Sequence, residues 1–283
     1  MLPLISDLRS SETTATRGAY GLRFAGLDNA ALVVPVPESW QQVRLERRTV
    51  DGLAPSSSSA GENIVEIVFL NGSSLRVDRR KSSVTFFVPP EVEDDELVHP
   101  YLAPAAVHFA GWLGHTVFHS GAFVHEGGAW GVLGIRSGGK STTLARLAQM
   151  NIPVLSDDIL VLDGASALAG PRCIDLRPDA AKRLEEHSNT VRGGDRRRLP
   201  LPAIEPAVPL RGFFFLDWGE NLAVYPLRPS ERLALLNRSC RPETANPVSL
   251  LELARLPAWR LTRPLGFETL EDVCRKLLDT AQG

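Results

Sequence analysis

Cysteine is scarce in this chain of 283 residues: there are three, Cys173, Cys240 and Cys274, odd in number and far apart. That count and spacing argue against a disulfide framework or a zinc knuckle and fit buried thiols in a reducing compartment. An excess of charge of either sign is also missing, because 31 basic and 33 acidic residues are interspersed and leave a formal net charge of −2. A surface built to grip nucleic acid or acidic lipid is therefore not expected, and any anion site must be local. No run reaches the roughly 18 uncharged apolar residues that a membrane span needs. The opening stretch "MLPLISDLRSSETTATRG" has neither a basic region nor a long apolar one and does not read as a secretory signal. These absences give the expectation of a cytoplasmic protein without nucleic-acid or membrane partners.

What is present is a hydrophobic content of 43%, enough to fill a sizeable core. Over residues 1–92 short β-rich runs alternate with turn formers: "YGLRFAGL", "AALVVPV", "VRLERRTV", "NIVEIVFL", "SLRVDRR" and "SVTFFVPP". They predict a small β-rich N-terminal domain, with residues 51–63 a polar Gly/Ser-rich loop. A second domain is expected over residues 93–283. It opens with acidic residues 93–96 leading into an apolar helical pattern that contains Pro104, as a helix N-terminus favours negative charge. "TVFHSGAFVHEGGAWGVLG" reads as two strands joined by the turn "EGG", "KSTTLARLAQM" as a helix and "NIPVLSDDILVLDG" as the next strand. Strand, glycine loop, helix and strand make a βαβ unit in which parallel pairing is expected, so the fold class is mixed α/β. Later runs supply the strands "RGFFFLDW" and "LAVYPLRP" and the helices "SERLALLNRS", "SLLELARL" and "LEDVCRKLLDTA".

The most informative stretch is residues 134–141, "GIRSGGKS", which satisfies the phosphate-loop pattern G-x-x-x-x-G-K-[ST]. Glycine frees the backbone so that successive amides converge on phosphate oxygens, and the following helix aims its unpaired N–H groups at the same anion. Gly134, Ser137, Gly138, Gly139, Lys140, Ser141 and Thr142 are the candidate nucleotide contacts. Lys140 would reach the β and γ phosphates, and Ser141 would ligate Mg²⁺.

"VLSDDILVL" sets Asp157 and Asp158 in or at the end of an apolar strand, where adjacent carboxylates are costly unless they face a cation, a hydroxyl or water. Asp157 follows Lys140 by seventeen residues, so one helix separates them and both can reach the cleft at the carboxyl ends of the strands. Phosphoryl transfer needs a bridging cation, a positive clamp and usually a carboxylate at the attacking hydroxyl. Asp157 is the candidate base and Asp158 the metal ligand or its neighbour.

With the loop, the short helix and the "DD" strand at this separation, the chain resembles the HPr kinase/phosphorylase family, serine kinases of a sugar-transport phosphocarrier whose nucleotide fold is related to phosphoenolpyruvate carboxykinase. His119, fifteen residues before Gly134, and "CIDLRP" also match that pattern. The resemblance runs from His119 to Arg177 and onward toward Leu278, and implies a P-loop kinase core, ATP and Mg²⁺. It implies Asp157 as general base on the acceptor serine, Asp158 near the metal, His119 lining the phosphate site, and Asp175 and Arg177 as further members, Asp175 a metal ligand. Arg136 and Ser137 stand where the family loop has Ser-Gly, and "DLRPDAAKRLEE" replaces its later glycine-rich signature. The pattern looks closer to short HPr-kinase-like proteins associated with peptide natural products, which points to a precursor peptide as acceptor; a homo-oligomer is compatible.

A small-molecule hydroxyl kinase on the same scaffold and a nucleotide-gated binding protein with little turnover remain alternatives. The arginines of "GGDRRRLP", Arg196, Arg197 and Arg198, read as a solvated loop or as one that closes over triphosphate. Phe213, Phe214 and Phe215, followed by Asp217 and Trp218, read as core rather than a base-stacking platform.

Overall fold

The computed structural model describes residues 16–26, 30–50, 58–185, 189–191 and 194–282. The opening stretch, the first part of the loop expected over 51–63, and part of the segment before Arg196 lie outside them. Two large sheets and one small sheet carry the fold, with helices against their faces. Among the described residues no helix is long and apolar enough to cross a membrane.

The β-rich half forms an eight-stranded sheet in the order Val34–Pro35, Arg17–Ala19, Leu22–Ala25, Gln41–Thr49, Ser83–Val88, Ser74–Asp78, Ile64–Val68, Ser59–Ala60. Period-two alternation decides which face is covered: Val43 and Leu45, Leu75 and Val77, and Val84, Phe86 and Val88 are all buried. Their cover is the helix Leu102–Leu113, which turns Leu102, Ala105, Ala106, Phe109 and Ala110 inward at helical spacing. Pro104 sits in its first turn, where no intrahelical N–H is lost. Val117, Ile159, Val161 and Leu168 from beyond residue 93 join the same core, so packing runs across the change of composition at residue 92.

The second sheet has nine strands. Its site-bearing part runs Val154–Ser156, Gly121–His125, Gly128–Gly134, Ala207–Trp218, Ala258–Arg263. The pairing expected between the loop strand and the strand after its helix does not form. Gly128–Gly134 turns back at Glu126 and Gly127, both at positive φ, and pairs antiparallel with Gly121–His125, which pairs antiparallel with Val154–Ser156. A two-residue hairpin closes at little entropic cost and takes the adjacent lane. The parallel partner is instead Ala207–Trp218, and Ala258–Arg263 lies parallel beyond it. Four strands therefore end at one edge, at Ser156, Gly134, Trp218 and Arg263, where ligands of such sheets bind.

Phe213, Phe214 and Phe215 are buried core, as expected. The arginine run is not a loop: Arg196–Pro200 is a strand in a three-stranded sheet with Cys173–Leu176 and Asn189–Val191. Pairing in that sheet sets Arg198 opposite Asp175, and the resulting ion pair lets an arginine in a charge run be buried.

Candidate functional site

Gly139 is the N-cap of the helix Lys140–Gln149 and takes φ 77°, a left-handed conformation that glycine adopts without steric cost. A Cβ there would also come 2.2 Å from Nη2 of Arg263. Thr143 supplies the first helical backbone bond, to the Gly139 carbonyl, so the amides of Lys140, Ser141 and Thr142 have no partner within the helix and face outward with the positive end of its dipole. Upstream, the Gly138 amide donates to the Ile135 carbonyl at 3.0 Å and tightens the loop. Lys140 is largely buried, and its Nζ donates to the carbonyls of Gly134 and Ile135 at 2.9 and 3.0 Å.

Ser137 occupies the position where the family pattern has glycine, and it keeps the left-handed backbone, φ 61°. A side chain there costs roughly 1–2 kcal/mol against the right-handed region, partly offset by the lower entropy of the unfolded chain. Ser137→Gly is expected to raise the unfolding free energy by about 1 kcal/mol in a urea titration. An unchanged or lower value would mean that the Ser137 hydroxyl, which accepts from Arg177 at 3.3 Å, outweighs the backbone cost.

Asp157 lies one residue past Val154–Ser156 and is buried, whereas Asp158, at φ 69°, turns out and is half exposed. The hydroxyl of Ser141 donates to Oδ1 of Asp157 at 3.0 Å, joining the loop helix to the acid pair. Two devices hold the acid strand. Gly121 lets it approach, since a Cβ there would stand 2.7 Å from the Ser156 carbonyl oxygen and 3.3 Å from the Asp157 Cα. Buried Arg172 donates to the carbonyls of Val154, Leu155 and Pro202.

Burial pushes the Asp157 carboxyl up to about 7, the neighbouring charge of Asp158 adds to the rise, and the Ser141 hydrogen bond and Lys140 oppose it. With a folded pKa above the ordinary 3.8, the unfolded chain gives up this proton first as pH rises. The contribution to stability is therefore full below pH 3.8 and is lost as pH climbs to about 7. Asp157→Asn removes that loss. The variant should exceed wild type in unfolding free energy by on the order of 3 kcal/mol at pH 8, with the advantage shrinking toward pH 4, in denaturant titrations at both values.

His119 Nδ1 stands 3.8 Å from Oδ1 of Asp158, and burial, helped by the Lys140 charge, holds its pKa below the usual histidine value. It is therefore neutral at neutral pH and able to accept or donate a hydrogen bond. Asp175 lines the same cleft, but Nε and Nη2 of Arg198 donate to its two oxygens at 2.8 and 2.9 Å. Of the set expected at the metal, Ser141 and Asp158 line the cleft with Asp157, and Asp175 lines it while paired with Arg198.

The cleft thus gathers Lys140, Ser141, Thr142, Asp157, Asp158 and His119. It also includes residues that the sequence did not point to. Trp218 and Arg263 end two parallel strands, with the guanidinium 4.3 Å from the centre of the indole ring. The signal available for Trp218 was its place at the carboxyl end of the aromatic run; for Arg263 the sequence offered none.

No family model matches the chain, and no curated protein does. Among solved structures, the HPr(Ser) kinase/phosphatase from Coxiella burnetii is similar at 11% identity, over 59% of this chain and 99% of that one, with a TM-score of 0.33.

Proposed function

We propose that the chain is an ATP- and Mg²⁺-dependent kinase that transfers the γ-phosphoryl group to a serine-type hydroxyl of a peptide or protein, with a precursor peptide as the expected acceptor. The observation that carries this reading is the 3.0 Å hydrogen bond between Ser141 and Asp157. It sets a carboxyl that titrates near neutrality beside a helix N-terminus suited to a triphosphate.

The residues present fit both groups. Side-chain-free backbone at Gly139 and the first-turn amides suit phosphate oxygens, and Ser141 and Asp158 offer the hard oxygen donors that Mg²⁺ takes. A bound Mg²⁺ would neutralise charge on the β and γ phosphates. Asp157 receives the proton of the attacking hydroxyl, and a base with pKa near 7 combines a large deprotonated fraction with useful basicity. His119, neutral at working pH, stands beside Asp158 without adding a charge of its own. Lys140 exchanges its two loop carbonyls for phosphate oxygens. Arg136, Arg177 and Arg196 give the rest of the cleft a cationic rim.

Incubation with γ-labelled ATP, serine-containing peptides and hydroxyl-bearing metabolites tests the reading. Label on a peptide supports it, label on metabolites alone makes the chain a small-molecule kinase, and nucleotide binding without transfer makes it a nucleotide-gated scaffold.

A further inference from the structure

Arg263 lies under the phosphate loop and is 3% exposed. Its Nη2 donates to the Gly138 carbonyl at 2.9 Å, and its guanidinium rests on the Trp218 ring. Its Nε–H is buried with no hydrogen-bond partner among the described residues. No ion pair joins it to a carboxylate among the described residues. The other buried arginines are treated differently: Arg198 is matched by Asp175, and Arg172 spends three donors on carbonyls. A buried guanidinium without a counter-charge is costly, and the indole face offsets only part of that cost. Burial draws its pKa down to about 10, which leaves it charged at neutral pH.

The contact with the loop is deliberate in its geometry. Arg263 can reach the Gly138 carbonyl only because Gly139 has no Cβ, since one would stand 2.2 Å from Nη2. The second glycine of the motif is thus required from behind by an arginine as well as from the front by an anion. A hydrogen bond to a peptide carbonyl polarises that peptide and strengthens the N–H on its other side, here the amide of Gly139.

We infer that Arg263 is a positioning residue of the phosphate site: it delivers positive charge through the Gly138–Gly139 peptide to the loop amides, and the phosphates of the bound nucleotide serve as its counter-charge. The inference rests on the nucleotide reading above and makes nucleotide affinity, rather than folding, the reason for an arginine at this position.

The test compares wild type with Arg263→Met and Arg263→Gln, by thermal unfolding without ligand and by calorimetric titration with magnesium tripolyphosphate and with MgATP. Arg263→Met should unfold at the wild-type temperature or above, because an apolar chain replaces a cation without a counter-charge. Both variants should bind tripolyphosphate and ATP about 10–100-fold more weakly. A purely structural arginine gives the reverse, a lower unfolding temperature with unchanged Kd, and that result overturns the inference while leaving the kinase reading intact. Should Arg263→Met fail to fold, Arg263→Gln decides: it keeps a polar amide at this position without the charge, so weakened binding supports the inference and wild-type binding overturns it. If the wild-type chain binds neither tripolyphosphate nor ATP, the nucleotide reading falls and the inference falls with it.

Discussion

Asp157→Asn should lower the rate of phosphoryl transfer by about 10²–10⁴-fold while leaving the Kd for MgATP within about threefold of wild type. The two halves of this expectation have different origins. Asparagine keeps the size of the side chain and an oxygen able to accept from the Ser141 hydroxyl, so the cleft retains its shape and the nucleotide its seat. It cannot take a proton, so what is lost is an interaction made only on the way to the transition state. The pH profile carries the same signature. Burial and the Asp158 charge set the Asp157 carboxyl at about 7, so wild-type kcat/KM should rise with pH through that value and level off above it. A profile that is flat from pH 6 to pH 8 would remove Asp157 from the base role, as would a fully active Asp157→Asn variant.

The second large effect belongs to the ground state. Lys140→Ala should weaken MgATP binding by about 10²-fold or more, since truncating one member of a desolvated charge pair costs on the order of 2–5 kcal/mol. Lys140 is held by two loop carbonyls at 2.9 and 3.0 Å, so its removal also releases a brace within the loop. Circular dichroism and a melting curve separate the two consequences: affinity should collapse in a variant that still unfolds cooperatively. Calorimetric titration of MgATP measures the affinity, and an unchanged Kd would move the phosphates away from Lys140.

These two residues were legible in the sequence because everything that defines them is local. Eight contiguous residues write the loop, and a single short helix carries the chain from Lys140 to the strand that ends beside Asp157. The N-terminal strands were legible for a similar reason, since burial of Val84, Phe86 and Val88 follows directly from alternation. Long-range pairing was not legible. The hairpin beside Gly128–Gly134 could be read from its turn, but the strand after the loop's helix paired on the far side of that hairpin rather than with the loop strand. The other lane went to Ala207–Trp218, and only the parallel register of Ala207–Trp218 with Ala258–Arg263 brings Trp218 and Arg263 to the loop. The arginine run misled for the converse reason. Charge predicts solvent unless a counter-charge is known, and the partner of Arg198 is Asp175, placed opposite by a sheet register that composition does not reveal. The same ion pair engages Asp175, which the family resemblance implied as a metal ligand.

The proposed function makes a spatial claim: a triphosphate would lie on the amides beside Lys140, and Ser141 and Asp158 would hold its metal next to Asp157. Iron(II)-directed backbone cleavage, with iron in place of Mg²⁺ and with ascorbate and peroxide as reagents, reads that placement directly. The account predicts ATP-dependent cuts at two places, around Ser141 and around Asp157 and Asp158, both lost in Lys140→Ala. Cuts confined to other segments, or a cleavage pattern that ATP does not change, would contradict it.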